Sequence, residues 1–70
     1  MDARILAQIY RDVYGESFNP NEYSCRRKMQ AAVYLLQEMG MYFEGYGFFL
    51  VNGTPYSHQL YEDMTRKIRY

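Results

Sequence analysis

Asn52-Gly53-Thr54-Pro55-Tyr56-Ser57 leaves the backbone fewer choices than any other stretch of this chain. Asn52 and Gly53 are residue types that enter positive φ with little strain, and Pro55 holds its own φ at about −65°. Ser57 stands just before an amphipathic segment, where its hydroxyl can accept a hydrogen bond from the free N–H groups of a first helical turn. Upstream lies Tyr46-Gly47-Phe48-Phe49-Leu50-Val51, rich in the aromatic and branched residues that favour strands. A strand should therefore end at a shaped corner, with Gly53, Pro55, Tyr56 and Ser57 as its structural residues, and pass the chain to a capped helix. Such a corner is architectural, not catalytic.

Periodicity supplies three helices. From Asp2 to Val13, Ile5, Leu6, Ile9, Tyr10 and Val13 fall on one side and Arg4, Gln8, Arg11 and Asp12 on the other, with Gly15 placed to end the helix. Asn19-Pro20-Asn21 offers a cap and a first-turn proline, which predicts a short helical turn before the second helix. Cys25, Met29, Ala32, Val33, Leu36 and Met39 trace the apolar face of that second helix, which ends at Gly40. The third runs from His58 to about Arg69 and buries Leu60, Tyr61, Met64 and Ile68. On its polar side Glu62 with Arg66 and Asp63 with Lys67 have the spacing of surface ion pairs.

Between the last two helices, 41–51 can be arranged in two ways. Glu44-Gly45 turns a hairpin between Met41-Tyr42-Phe43 and the Tyr46–Val51 run, or only the second run is a strand. The expected class is α+β, mainly helical: three helices with a short aromatic β-hairpin or single strand before the last, in a winged-helix-like order.

Pro55-Tyr56-Ser57 followed by Leu60 and Asp63 resembles the Gly-Pro-Tyr-Ser-x-x-Leu-x-x-Asp pattern of YwgA-like bacterial proteins and the related Panacea (SocA-type) antitoxin domains. Lys28-Met29-Gln30-Ala31-Ala32-Val33-Tyr34-Leu35-Leu36 is similar to their Lys-Leu-Gln-x-x-x-Tyr-Leu-Leu helix, and Tyr46-Gly47-Phe48 to their Tyr-x-Phe strand entry. The likeness covers residues 26 to 64, with Thr54 where the family has Gly and Gly53 one place earlier. It implies a small helical domain with a strand-turn-helix corner and, by kinship, an antitoxin or accessory role of bacterial or phage origin.

Seventy residues make one domain. A chain of this size hides only about 60% of its unfolded surface and draws roughly 3–5 kcal/mol from its core. A single cysteine, Cys25, leaves no internal disulfide or cysteine-based zinc site and points to a reducing, cytoplasmic setting. No run approaches the length of a membrane span. Eight acids balance eight bases, so no global positive field draws in phosphate backbones.

Nothing assembles a catalytic or metal site, and no cofactor is expected. Ser57 and His58 are neighbours at a helix start, Cys25 lies on the apolar stripe, and Glu62 and Asp63 point about 100° apart on their helix. Nine tyrosines are more than so small a core can hide with every hydroxyl satisfied. Tyr34 falls in the polar face of the second helix beside Arg27, Gln30, Gln37 and Glu38, either as an interface anchor or as a lid over a neighbouring element. The expectation is a small non-enzymatic regulatory protein that binds a protein partner, of antitoxin, accessory or phage-inhibitor type, including one directed against a host defence system. Its contact face would be Arg27, Gln30, Tyr34 and Gln37, extended by Tyr46 and Tyr70. Self-association is left open. The second reading is a winged-helix-like DNA-binding module using Arg26, Arg27 and Lys28, and the third a degenerate fragment of an enzyme-associated protein.

Overall fold

The computed structural model describes residues 1–41 and 45–66, which form an α+β, mainly helical domain. The order is α1 (Ala3–Tyr14), α2 (Tyr23–Glu38), β1 (Phe49–Val51), β2 (Thr54–Tyr56) and α3 (His58–Thr65). Asp2 caps α1 by accepting from the Arg4 N–H at 2.7 Å. Gly15, with φ of 71°, ends it and donates its N–H to the Arg11 carbonyl. Leu6 and Tyr10 are buried, but Ile5 and Val13 from the same expected stripe are exposed, because so few elements cover only part of that face.

The connection to α2 is a turn, not the expected helical turn. Asn19 Oδ1 accepts from the Asn21 N–H, and the Asn19 carbonyl accepts from the Glu22 N–H, which folds Pro20 and Asn21 into the bend. Along α2, Cys25, Met29, Ala32 and Val33 are buried, Leu36 is half-buried and Met39 is exposed. The apolar stripe therefore outlasts the core it serves. At the C-terminal end Gly40, with φ of 88°, lets the Met41 N–H reach back to the Leu36 carbonyl.

The expected Glu44-Gly45 turn falls partly outside the described residues, and the hairpin among them turns at Asn52-Gly53. Both turn residues have positive φ, 52° and 78°, the pairing that matches the right-handed twist of flanking strands. The register is Phe49↔Tyr56, Leu50↔Pro55 and Val51↔Thr54. A two-residue turn is closed by a hydrogen-bonded pair, so Leu50↔Pro55 falls at a non-bonded position and the missing proline N–H costs no ladder bond. Tyr46, Gly47 and Phe48 lie outside the strand, and of the expected strand Met41-Tyr42-Phe43 the last two lie outside the described residues.

Helix α3 begins where Ser57 predicts, with its Oγ accepting from the Leu60 N–H at 3.3 Å. It stops at Thr65, short of the expected Arg69, and Arg66 is already extended. The Thr65 hydroxyl donates to the Tyr61 carbonyl at 2.7 Å, a local bond that competes with continued helix. Ile68, Lys67 and Tyr70 lie outside the described residues.

Leu6, Tyr10, Cys25, Met29, Val33, Tyr46, Leu60 and Met64 form one core cluster. Burial pushes the Tyr10 hydroxyl well above its usual range, so it stays a donor to Glu16 Oε1 and Cys25 Sγ.

Two polar devices complete this interior. Gln30 Nε2 donates to the Ser57 carbonyl at 3.0 Å, and the Ser57 N–H donates to Gln30 Oε1 at 2.8 Å. In the second, Asp63 Oδ2 accepts from the Met1 ammonium at 2.8 Å and from the Tyr46 hydroxyl at 2.6 Å. Asp63 is thus an internal residue; its expected partner Lys67 lies outside the described residues, and Arg66 reaches its other oxygen at 3.7 Å. Glu62 pairs instead with His58 at 2.9 Å.

Two stability predictions follow from these devices. Gln30→Leu strands the buried Ser57 N–H, while the Ser57 carbonyl keeps the Tyr61 N–H, and should cost about 2 kcal/mol or more in chemical denaturation, whereas Ser57→Ala should cost about 1 kcal/mol. Equal costs, or a neutral Gln30→Leu, would remove the clamp from the account. For Asp63, burial raises the carboxyl pKa, but the Met1 ammonium and the Tyr46 hydroxyl outweigh it and hold the group below its ordinary value. Its contribution is then full above the unfolded carboxylate pKa of about 4 and is lost as pH falls through the native value. Melts against pH should show the wild type weakening on acidification through that window and Asp63→Asn weakening less over the same range.

Candidate functional site

Between the first half of α2 and the hairpin lies an open groove of about 410 Å³. Its α2 wall is made by Tyr23, Arg26 and Arg27, with Gln30 at the base. Facing them are Val51, Thr54, Pro55 and Tyr56 of the hairpin and Tyr61 of α3. The Gln30 clamp on Ser57 sets the separation of the walls, because it ties α2 to the residue that joins β2 to α3.

The hairpin side is aromatic beyond the groove itself. Phe49 stands edge-on to Tyr56 at 5.6 Å between centroids, Tyr56 lies 6.4 Å from Tyr61, and His58 stacks on Tyr61 at 6.2 Å. All three residues of β1 are exposed, Phe49 at 58% and Leu50 at 70%, and Tyr23 opposite is 70% exposed. Period-two alternation puts Phe49, Val51, Thr54 and Tyr56 on one face of the hairpin. Together with Tyr23 they make an exposed apolar surface of the kind that marks interaction sites.

The arginines are held from one side only. Arg27 Nη2 donates to Thr54 Oγ1 at 3.0 Å across the groove. Arg26 Nη1 donates to the Pro20 carbonyl at 2.8 Å, and its guanidinium carbon lies 5.9 Å from the centroid of the Tyr23 ring. Each guanidinium keeps further N–H donors. Among the described residues no carboxylate forms an ion pair with either one. Lys28 points elsewhere: its ammonium bonds Glu16 at 2.7 Å and lies over the Tyr14 ring at 4.9 Å, with Glu16 holding its pKa up. Successive helical residues turn by about 100°, so the Arg26-Arg27-Lys28 run divides between the groove and α1.

Of the expected contact residues, only Arg27 lines the groove with free donors. Gln30 and Tyr46, at 3% and 2% exposure, are buried instead of presented to a partner: their polar atoms serve the interior through Ser57 and Asp63. Gln37 donates to the Tyr46 carbonyl at 2.9 Å, which ties the segment before β1 to α2, and its Oε1 is buried with no partner among the described residues. Tyr34 is half-buried and packs edge-on against Phe48 at 5.4 Å, the lid alternative. Tyr70 lies outside the described residues. Tyr61, expected on the buried face of the third helix, is instead exposed and lines the groove, because among the described residues of that face only Leu60 and Met64 reach the core; Tyr23 and Phe49 were missed, and for Phe49 the signal was three consecutive apolar residues in a strand too short to have two buried faces. Gly53 and Ser57 perform the expected corner roles, with Pro55 and Tyr56 pairing in β2 and also lining the groove.

No group of three or more His, Cys, Asp or Glu side chains among the described residues is placed to hold a metal ion. No helix among them is long and apolar enough to cross a membrane. No family model, curated protein or solved structure matches the chain.

Because Tyr34 packs on Phe48, Tyr34→Ala should lower stability by about 1–3 kcal/mol, within the range for loss of a half-buried aromatic. Tyr34→Phe should be close to neutral in the same denaturation series. An unaffected Tyr34→Ala would return Tyr34 to the surface.

Proposed function

We propose that this chain is a small non-enzymatic regulatory protein that acts by binding a protein partner through the groove and its aromatic wall. The observation that carries the proposal is the exposure of Phe49, Val51, Tyr61 and Tyr23 around two arginines that form no ion pair with an acid among the described residues. Tyrosine and arginine in a concave, partly apolar site are the composition of interface anchors. The antitoxin, accessory or phage-inhibitor role implied by the Panacea-like corner fits a domain whose exposed chemistry is contact rather than reaction.

DNA binding is less well supported. The chain has zero formal net charge, and Lys28 is paired with Glu16, which leaves two cations at the groove instead of the row that tracks a phosphate backbone.

Affinity capture from a native lysate, followed by reconstitution with the purified captured protein, tests this. Tyr23→Ala and Phe49→Ala should each weaken that complex by about 1–2 kcal/mol or more with little change in melting temperature. Met39→Ala, an exposed apolar change at the C-cap of α2 and roughly 14 Å along the helix from Gln30, should leave it intact. Full capture by both aromatic variants would displace the site. Duplex DNA binding that falls steeply with salt and is lost in Arg27→Ala would replace the function.

A further inference from the structure

We propose that the groove receives an extended acidic segment of the partner, with one or two carboxylates on Arg26 and Arg27 and an apolar or aromatic side chain between Tyr23 and the Tyr56–Tyr61 wall. This rests on the protein-binding function above and names the partner's chemistry at the same site.

Charge complementarity carries it. Arg4, Lys28 and Arg66 each have an acid of this chain within ion-pair distance, at 3.1, 2.7 and 3.7 Å, whereas the two groove arginines, like Arg11 on the exposed side of α1, have none among the described residues. They are also preorganised. The bonds from Arg27 to Thr54 and from Arg26 to Pro20 each engage one guanidinium nitrogen and hold the planar fork in place, which reduces the ordering entropy that binding would otherwise cost. A carboxylate is the planar, bidentate match for that fork, and aromatic walls that exclude water strengthen the contact.

An extended segment suits the open mouth of this groove of about 410 Å³. Side chains can enter from a strand-like backbone lying across the mouth, alternating acid with apolar as extended chains do. The buried Gln30 amide, already committed to Ser57, offers nothing further at the base, so specificity comes from the two walls.

Selection of a random displayed peptide library on the folded protein gives the test. The enriched pool should be rich in Asp and Glu next to Leu, Phe or Tyr. The leading peptide should lose affinity about tenfold or more when its acids are changed to Asn and Gln, and by a similar factor against an Arg26→Gln, Arg27→Gln double variant. The peptide change reads the same contact on unaltered protein, so the result stands even if the variant folds poorly. A pool without acid enrichment, acidic peptides indifferent to both changes, or no enriched peptide overturns the inference. If the pool is apolar or basic and its binding is lost in Tyr23→Ala, partner binding through the groove survives while its acidic character does not. If no peptide is selected and duplex DNA binds with a steep salt dependence, both fall.

Discussion

The amide of Gln30 is the joint on which the rest of the structure depends. It meets both backbone polar groups of Ser57, accepting from the N–H and donating to the carbonyl, much as a neighbouring strand would. Ser57 is almost fully buried and sits between β2 and α3. Without Gln30 its N–H would be left without a partner in a place that water does not reach, which is where an unmade hydrogen bond costs most. Through this one side chain α2 orients the hairpin on one side and the start of α3 on the other. The groove is the space left between them.

A domain with so few core residues has reason to rely on such contacts. Its core cluster joins α1, α2, α3 and the segment before β1, but none of the β1 or β2 residues belongs to it. The hairpin is held to the helices instead by polar ties, Gln30 to Ser57 and Arg27 to Thr54. The Asp63 network does the same at the opposite side, linking Met1, Tyr46 and α3. An element anchored by its backbone rather than by apolar side chains can leave those side chains outward. That is why Phe49, Leu50 and Val51 are free to form a contact surface.

Local chemistry was legible in the sequence. The Gly15 stop, the positive φ at Asn52-Gly53 and the Ser57 cap follow from neighbours within a few residues, and each is where the residue types predict. The Asn52-Gly53 hairpin was not anticipated because 52–57 was read as a corner between a strand and a helix, when an Asn-Gly pair is a strong signal for a two-residue connection between strands. Gln30 and Asp63 were misread for a different reason. A helical wheel marks them as polar, but their partners are 27 and 17 or more residues away, and no spacing within the helix reveals such a meeting. The available hint was position: Gln30 follows Met29 and precedes Val33 by three, and Asp63 lies between Leu60 and Met64, so both border the apolar stripe. The groove residues were less visible still, since a surface made by α2, a hairpin and α3 exists only after the clamp has closed.

Amide hydrogen exchange at Ser57, followed by NMR on the unliganded protein, tests the clamp most directly because it reads that hydrogen bond in place. If Gln30 holds the joint, the Ser57 amide should exchange as slowly as core amides of α2 such as that of Val33, opening only with the domain. Exchange at Ser57 as fast as at the exposed turn residue Gly53, with α2 still protected, would contradict the account.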